Sequence, residues 1–164
     1  MSSTPVPEIT SAPPRRLAAW LPTLLWLCVL AFFSTDTFSA EHTGSVLQKL
    51  LHALFGRISH HTFVQIHFYV RKTAHFCSYG LLSGLSFFSW RATFFADRPW
   101  MLRWAVLGLF TGIAGGCLDE FHQSFLPSRT SSVRDVLIDT AGAIFFQLVI
   151  AAWMSFRASR PRTR

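Results

Sequence analysis

The chain alternates long apolar blocks with short polar connections, and the length of the blocks is the first constraint on its fold. Residues 17–35 carry no charged side chain, and neither do residues 73–90. Residues 100–118 contain only Arg103, close enough to the end for its guanidinium to reach the headgroups, and residues 136–156 contain only Asp139. About 20 predominantly apolar residues make a helix that crosses a bilayer, so four spans are expected. The second is read as part of a helix starting earlier, around Thr62. Pro22 falls in the opening turns of the first span, where a proline interrupts few backbone bonds. Arg15 and Arg16 before that span resemble the start of a signal peptide. However, Phe38-Ser39-Ala40 is a poor cleavage site, and a retained helix is expected.

The connection over 36–72 has its own periodicity. Val46, Leu47, Leu50, Leu51, Leu54, Phe55 and Ile58 recur at spacings of three and four, with Gln48, Lys49, His52 and Arg57 on the other face. This is the pattern of an amphipathic helix lying on the outer membrane surface, with packing against the bundle as the alternative. Gly108, Gly112 and Gly116 line one face of the third span, a small-residue repeat that lets helices approach closely. That face suits either the bundle itself or a second copy in a homo-oligomer. Residues 1–14, with four prolines among Ser and Thr, are expected to be a disordered tail, residues 15–156 the membrane domain, and residues 157–164 a basic tail.

Composition agrees with this pattern. Of 164 residues, 51% are hydrophobic and 14% charged, whereas a soluble domain carries roughly 25% charged residues. The expected fold class is all-α: a polytopic membrane bundle of four transmembrane helices plus an interfacial amphipathic helix. The net charge of +7 does not point to nucleic acid, because six of the 15 Lys and Arg lie in the two tails, where they read as anchors to anionic lipid. The tails and the 91–103 connection together hold nine Lys and Arg and the other connections six. Both termini are therefore expected on the cytoplasmic side of a bacterial inner membrane. Trp20, Trp90, Trp100, Trp104 and Trp153 fall at the same side, as an interfacial aromatic belt would, leaving only Trp26 in mid-span. Cys28, Cys77 and Cys117 show neither disulfide nor metal-ligand spacing.

In this topology polar residues from three stretches gather at one membrane face. Lys72, His75 and Tyr79 are spaced three and four apart and share one helix face. Asp119, Glu120, His122 and Gln123 close the third span, Arg129 lies in the next loop, and Asp135 and Asp139 enter the fourth. Asp139 lies about 9 Å along its helix from Val133, where an uncompensated carboxylate costs on the order of 2.5–3.5 kcal/mol. Lys72, Arg129, Arg134 and His75 are its candidate partners. Asp119 and Glu120 sit at a helix C-terminus against the macrodipole, which suggests a basic partner, Arg129 or Lys72. Ser132 and Asp135 have the spacing of an N-cap and its acid, so Asp135 has a purely capping alternative. His75, Asp119, Glu120, His122, Asp135 and Asp139 include types that ligate metals, but no pairing such as His-Glu-x-x-His is present. Neither a metal nor a cofactor is expected.

Two strings resemble the VanZ-like membrane proteins of bacteria: Val-Arg-Lys-Thr-Ala-His-Phe-Cys-Ser-Tyr-Gly-Leu-Leu-Ser at 70–83 and Asp-Glu-Phe-His-Gln-Ser-Phe-Leu-Pro-Ser-Arg at 119–129, the latter continuing through Asp135 to Asp139-Thr-Ala-Gly-Ala. With Phe33-Ser34, the resemblance covers roughly residues 20–150. It implies that Lys72, His75, Tyr79, Asp119, Glu120, Gln123, Arg129 and Asp135 are motif positions, with Asp139 at a site that is Asp or Asn in the family. Ser128 departs from the more common Gly, which disfavours positive φ in the loop but leaves the charged positions intact. The family name comes from a member associated with resistance to teicoplanin, a glycopeptide acting on the cell envelope, and the resemblance brings no settled biochemical activity with it.

The combined reading is an extracytoplasmic polar pocket for an anionic lipid headgroup or peptidoglycan precursor. Lys72 and Arg129 would grip the anion, and Tyr79, Asp119, Gln123, Asp135 and Asp139 would complete the pocket. Three alternatives use the same residues: an enzyme with His75 or Glu120 as general acid or base, proton or ion transfer through Asp139, and a purely structural network that locks the spans together.

Overall fold

A computed structural model describes residues 14–35, 40–94, 100–127 and 131–159 and contains six α-helices, with no strand among the described residues. They are α1 (Pro14–Ala18), α2 (Leu21–Phe33), α3 (Ala40–Phe55), α4 (His60–Phe94), α5 (Leu102–Gln123) and α6 (Val133–Ala158). The tail at 1–13, loop residues Ser128 and Arg129, and the terminal arginines from Arg160 onward lie outside the described residues.

Three segments are long and apolar enough to cross a membrane: Arg16–Phe33, Leu102–Gln123 and Val133–Ala158. At 35 residues α4 is longer than any of them, and more polar. The first segment corrects the expectation for Pro22, because the helix is interrupted between Ala18 and Leu21. Proline offers no amide hydrogen to the carbonyl one turn back, and its ring crowds that carbonyl. The chain therefore makes a turn, with the Trp20 amide donating to Leu17 at 3.0 Å, before α2 restarts. Ser89 Oγ donates to the Ala19 carbonyl in that turn at 2.8 Å.

Helix α4 is the central element, packed along α5 and α6 and more lightly against α2. Its contacts define the directions of its neighbours. Trp20 Nε1 donates to Thr93 Oγ1 at 2.8 Å, Thr23 and Ser89 share a hydroxyl bond of 2.8 Å, and Trp26 Nε1 donates to the Ser78 carbonyl at 2.9 Å, so α2 runs antiparallel to α4. Gln147 of α6 donates to Ser83 Oγ and to the Ser83 carbonyl at 2.8 and 2.9 Å, and with the His75–Asp139 contact this makes α6 parallel to α4. Helix α5 runs antiparallel to both.

Glycine makes the three-helix contact possible. A Cβ on Gly142 would lie 2.0 Å from the Phe76 carbonyl oxygen, and one on Gly108 would lie 2.8 Å from the Ser83 carbonyl. At Gly112 it would sit 3.0 Å from Ser83 Cβ and 3.1 Å from Ala143 Cβ. The Gly108, Gly112 and Gly116 face is therefore occupied within the chain, by α4 and α6.

The interior is more polar than the exterior, the reverse of a soluble protein. Ser83, Ser86, Ser89, Gln147 and Asp139 are buried, whereas Leu24, Phe110, Leu118, Leu137 and Leu148 face outward. At one end Trp104 is only 1% exposed and packs with Phe87 and Ala105, with Phe94 stacked on it at 5.7 Å. It belongs to the core and not to the expected belt, because the aromatic stack continues through Trp90 to Trp20. Trp100 and Trp153 remain exposed.

Gly142→Ala is expected to destabilise the bundle by about 1–3 kcal/mol, the scale of overpacking, because the opposing atoms are backbone and cannot rotate away. Gly84→Ala, whose Cβ would meet Ile150 Cδ1 at 3.4 Å, should change stability little. Thermal unfolding of both variants in the same detergent makes the comparison.

Candidate functional site

The 3.6-residue repeat places Lys72, His75 and Tyr79 along one stripe of α4. Parallel packing of α6 brings Asp135 opposite Lys72 and Asp139 opposite His75, since both pairs advance by about one turn. Lys72 Nζ is ion-paired with Asp135 Oδ1 and also lies 5.3 Å from the centre of the Phe68 ring. His75 Nδ1 is 3.2 Å from Asp139 Oδ1. One turn further, Tyr79 Oη donates to Asp119 Oδ2 of α5 at 2.6 Å. Six of the residues expected at the site thus form a three-rung polar ladder.

Glu120 and Asp135 divide the work differently from the sequence expectation. Ser132 is the N-cap of α6 and its hydroxyl accepts from the Arg134 amide at 3.2 Å. In a capping box the acid three residues on would reach back to the Ser132 amide. Here that amide donates to Glu120 Oε2 at 2.8 Å, so α5 supplies the acid in place of Asp135. Asp135 is left free to pair with Lys72. Among the described residues, Asp119 and Glu120 take a tyrosine hydroxyl and a backbone amide as partners, while Lys72, one of their expected basic partners, pairs with Asp135. Arg129, proposed as an anion grip, lies outside the described residues.

Asp139 is fully buried and rests on Gly116: a Cβ there would sit 2.9 Å from Asp139 Oδ2. Among the described residues, Asp139 Oδ2 and Glu120 Oε1 have no hydrogen-bond partner. One donor atom from each of His75, Glu120 and Asp139 can be chosen so that all lie within 4.8 Å of one another. The sequence reading names all three among residues of metal-ligating type but has no motif that groups them, because α4, α5 and α6 each contribute one residue. His122 does not join it and instead contacts Ser34 at the end of α2, at 3.0 Å.

His75, Tyr79, Asp119 and Gln123 also form the polar floor of a cleft of about 320 Å³ between α2, α3 and α4. Its walls include Leu30 and Phe33 of α2, Leu47 of α3 and Val70 of α4. A second cleft, lined mainly by α2 and α5, shares Leu30, Ser34, Tyr79 and Asp119 with it. Helix α3 reaches α4 through Thr43, whose hydroxyl lies 3.5 Å from His67 Nε2. The polar members of the first cleft include Arg71 and His67, which the sequence reading did not single out. Adjacent helical residues point about 100° apart, so Arg71 faces the cleft while Lys72 faces α6. The recoverable signal is the spacing of His67, Arg71, Ala74 and Ser78, a second stripe beside the first. Arg71 makes no ion pair among the described residues. Burial, and then the Arg71 charge beside it, lowers the His67 pKa below the ordinary imidazole range, and Arg71 is the guanidinium lining the cleft.

The apolar helices define a helical membrane protein, and the ladder residues meet one another between its helices. The VanZ/LLP1 family model matches residues 19–155, which include every residue of the ladder. The chain belongs to the VanZ/LLP1 family. No curated protein and no solved structure matches it.

Removing Lys72 should cost stability. Lys72→Ala leaves Asp135, with a side chain 5% exposed, without its cation. The expected loss is about 1–3 kcal/mol, below the ~3–5 of a fully buried broken pair because Lys72 retains some solvent exposure. The double variant Lys72→Ala/Asp135→Ala should recover part of it. Unfolding free energies of the wild type, the two single variants and the double variant give the coupling directly, and zero coupling would refute the pair.

Proposed function

We propose that this membrane protein binds the anionic head of an envelope amphiphile, a lipid or a lipid-linked peptidoglycan precursor, in the cleft between α2, α3 and α4. The observation that carries the reading is Arg71, a cation with no ion pair among the described residues, beside an apolar cleft with polar members. Leu30, Phe33, Leu47 and Val70 suit an acyl chain, and a guanidinium forms strong charge-assisted bonds to phosphate. Lys72 takes a different role from the one its sequence position suggests: its charge is committed to Asp135, so it holds the ladder together. Gln123, Tyr79 and Asp119 supply donors and acceptors for the neutral parts of a headgroup. A change in susceptibility to an envelope-acting glycopeptide would be a downstream consequence of that occupancy.

The same reading has α4 crossing the membrane as the fourth span. Its direction, opposite to α2 and α5, supports this, as does its central position among three apolar helices. Both termini then lie on the cytoplasmic side of a bacterial inner membrane, with α3 at the outer surface beside the cleft. The distribution of Lys and Arg supports this orientation.

An acid–base reading of the same cleft is favoured by one contact, the His75–Asp139 pair, because a carboxylate orients an imidazole for proton transfer. Release of a new product from a bound headgroup would select it over binding alone.

The test is lipid retention. Purified wild type, Arg71→Ala and Lys72→Ala are stripped of lipid, exposed to vesicles of phosphatidylglycerol or phosphatidylcholine, and analysed by native mass spectrometry. The wild type should retain phosphatidylglycerol in preference. Arg71→Ala should reduce that retention about tenfold, the scale of one lost bond to a charged group, while folded Lys72→Ala retains more than Arg71→Ala. Equal retention by the wild type and Arg71→Ala overturns the assignment.

A further inference from the structure

We propose that His75, Glu120 and Asp139 form a binding site for a first-row divalent transition-metal ion such as Zn²⁺ or Mn²⁺, buried where α4, α5 and α6 meet. The donor set, one imidazole and two carboxylates, suits these ions better than Mg²⁺ or Ca²⁺, which favour oxygen ligands. Three donor atoms lie within 4.8 Å of one another. Ligands at about 2.0–2.2 Å from one ion are at most about 4.4 Å apart, so small side-chain movements close the site. His75 Nδ1 and Asp139 Oδ1, already 3.2 Å apart, have the separation of neighbouring ligands.

Two further observations point to a ligand. Glu120 is 4% exposed and Asp139 0%, yet Glu120 Oε1 and Asp139 Oδ2 have no hydrogen-bond partner among the described residues. Buried carboxylate oxygens are ordinarily satisfied by partners or by metals. The nearby cation Lys72 does not meet this need, since it pairs with Asp135. A neutral His75, two carboxylates and one divalent ion sum to zero charge, the condition that best tolerates an apolar surrounding. The site is also provisioned around its first ligands: Gly116 leaves room for the Asp139 carboxylate, and the Ser132 amide orients Glu120 through its other oxygen, at 2.8 Å. Outer hydrogen bonds of this kind fix the direction of metal ligands. Three protein ligands leave at least one coordination position open, as in catalytic rather than structural zinc sites. His75 also lines the cleft.

The experiment uses the full chain, purified in mild detergent. Metal content is measured by inductively coupled plasma mass spectrometry, and Zn²⁺ and Mn²⁺ are then titrated into chelator-treated protein by calorimetry. One saturable equivalent is expected in the wild type, with at least about tenfold weaker binding in Glu120→Gln and Asp139→Asn. Affinity should fall on acidification, because protons compete for the ligands. Absence of saturable binding in the wild type, or unchanged affinity in both folded variants, overturns the site. Co²⁺ added to the wild type provides a test that needs no variant. Nitrogen and oxygen ligation without a thiolate charge-transfer band is expected, while such a band would assign the metal to Cys28, Cys77 or Cys117 and overturn the proposal. The site does not depend on the lipid reading: Arg71→Ala should keep its metal, so the two proposals fail separately.

Discussion

Burial of Asp139 is the constraint around which the structure is arranged. A carboxylate cannot be left in hydrocarbon without compensation, and this one has no solvent exposure. It therefore needs α4 to bring His75 and α5 to come close without a side chain in the way. The first need is met by the parallel packing of α4 and α6, the second by Gly116. The same close approach is repeated along the bundle, where Gly142 meets the Phe76 backbone and Gly108 and Gly112 meet α4 near Ser83. A bundle held at this spacing has little freedom to slide, because a one-turn shift would set side chains against backbone carbonyls.

The polar ladder and the glycine contacts thus form one device. Serine, glutamine and the acid–base pairs occupy the interior, where Ser83, Ser89, Gln147 and the ladder residues bond from one helix to another, while many large apolar side chains face outward. In lipid, helix association has no hydrophobic driving force of the usual kind and relies on close packing and interhelical bonds. The contacts from Trp20, Thr23 and Trp26 to α4 follow the same rule and hold α2 to α4. Toward its C-terminal end, α2 forms walls of both clefts.

Much of the site was legible before the fold was known. Lys72, His75 and Tyr79 share a face by helical spacing alone, and so do Asp135 and Asp139. Their charge and position pointed to partners, but the pairing depended on quantities the sequence does not contain. Whether Lys72 meets Asp135, Asp119 or Asp139 is a matter of helix direction and axial offset. Glu120 capping α6 in place of Asp135 depends on how close the end of α5 comes to the start of α6. Arg71 was overlooked because it stands beside Lys72 in the chain and about 100° away on the helix. Trp104, read as interfacial from its place at a span end, is drawn into the core by the aromatic stack of Phe94, Trp90 and Trp20.

The sequence by itself determined the helical class, the apolar segments suited to a bilayer, the family motifs and the stripe of ionisable residues, because each depends only on composition and on spacing along one helix. Tertiary structure decided which stripe faces which, that the glycine face packs within the chain, and that the cleft cation is Arg71. It also brought His75, Glu120 and Asp139 together from three helices. These are properties of rotation and register between helices, and a helix can turn about its own axis without changing a single residue of its pattern.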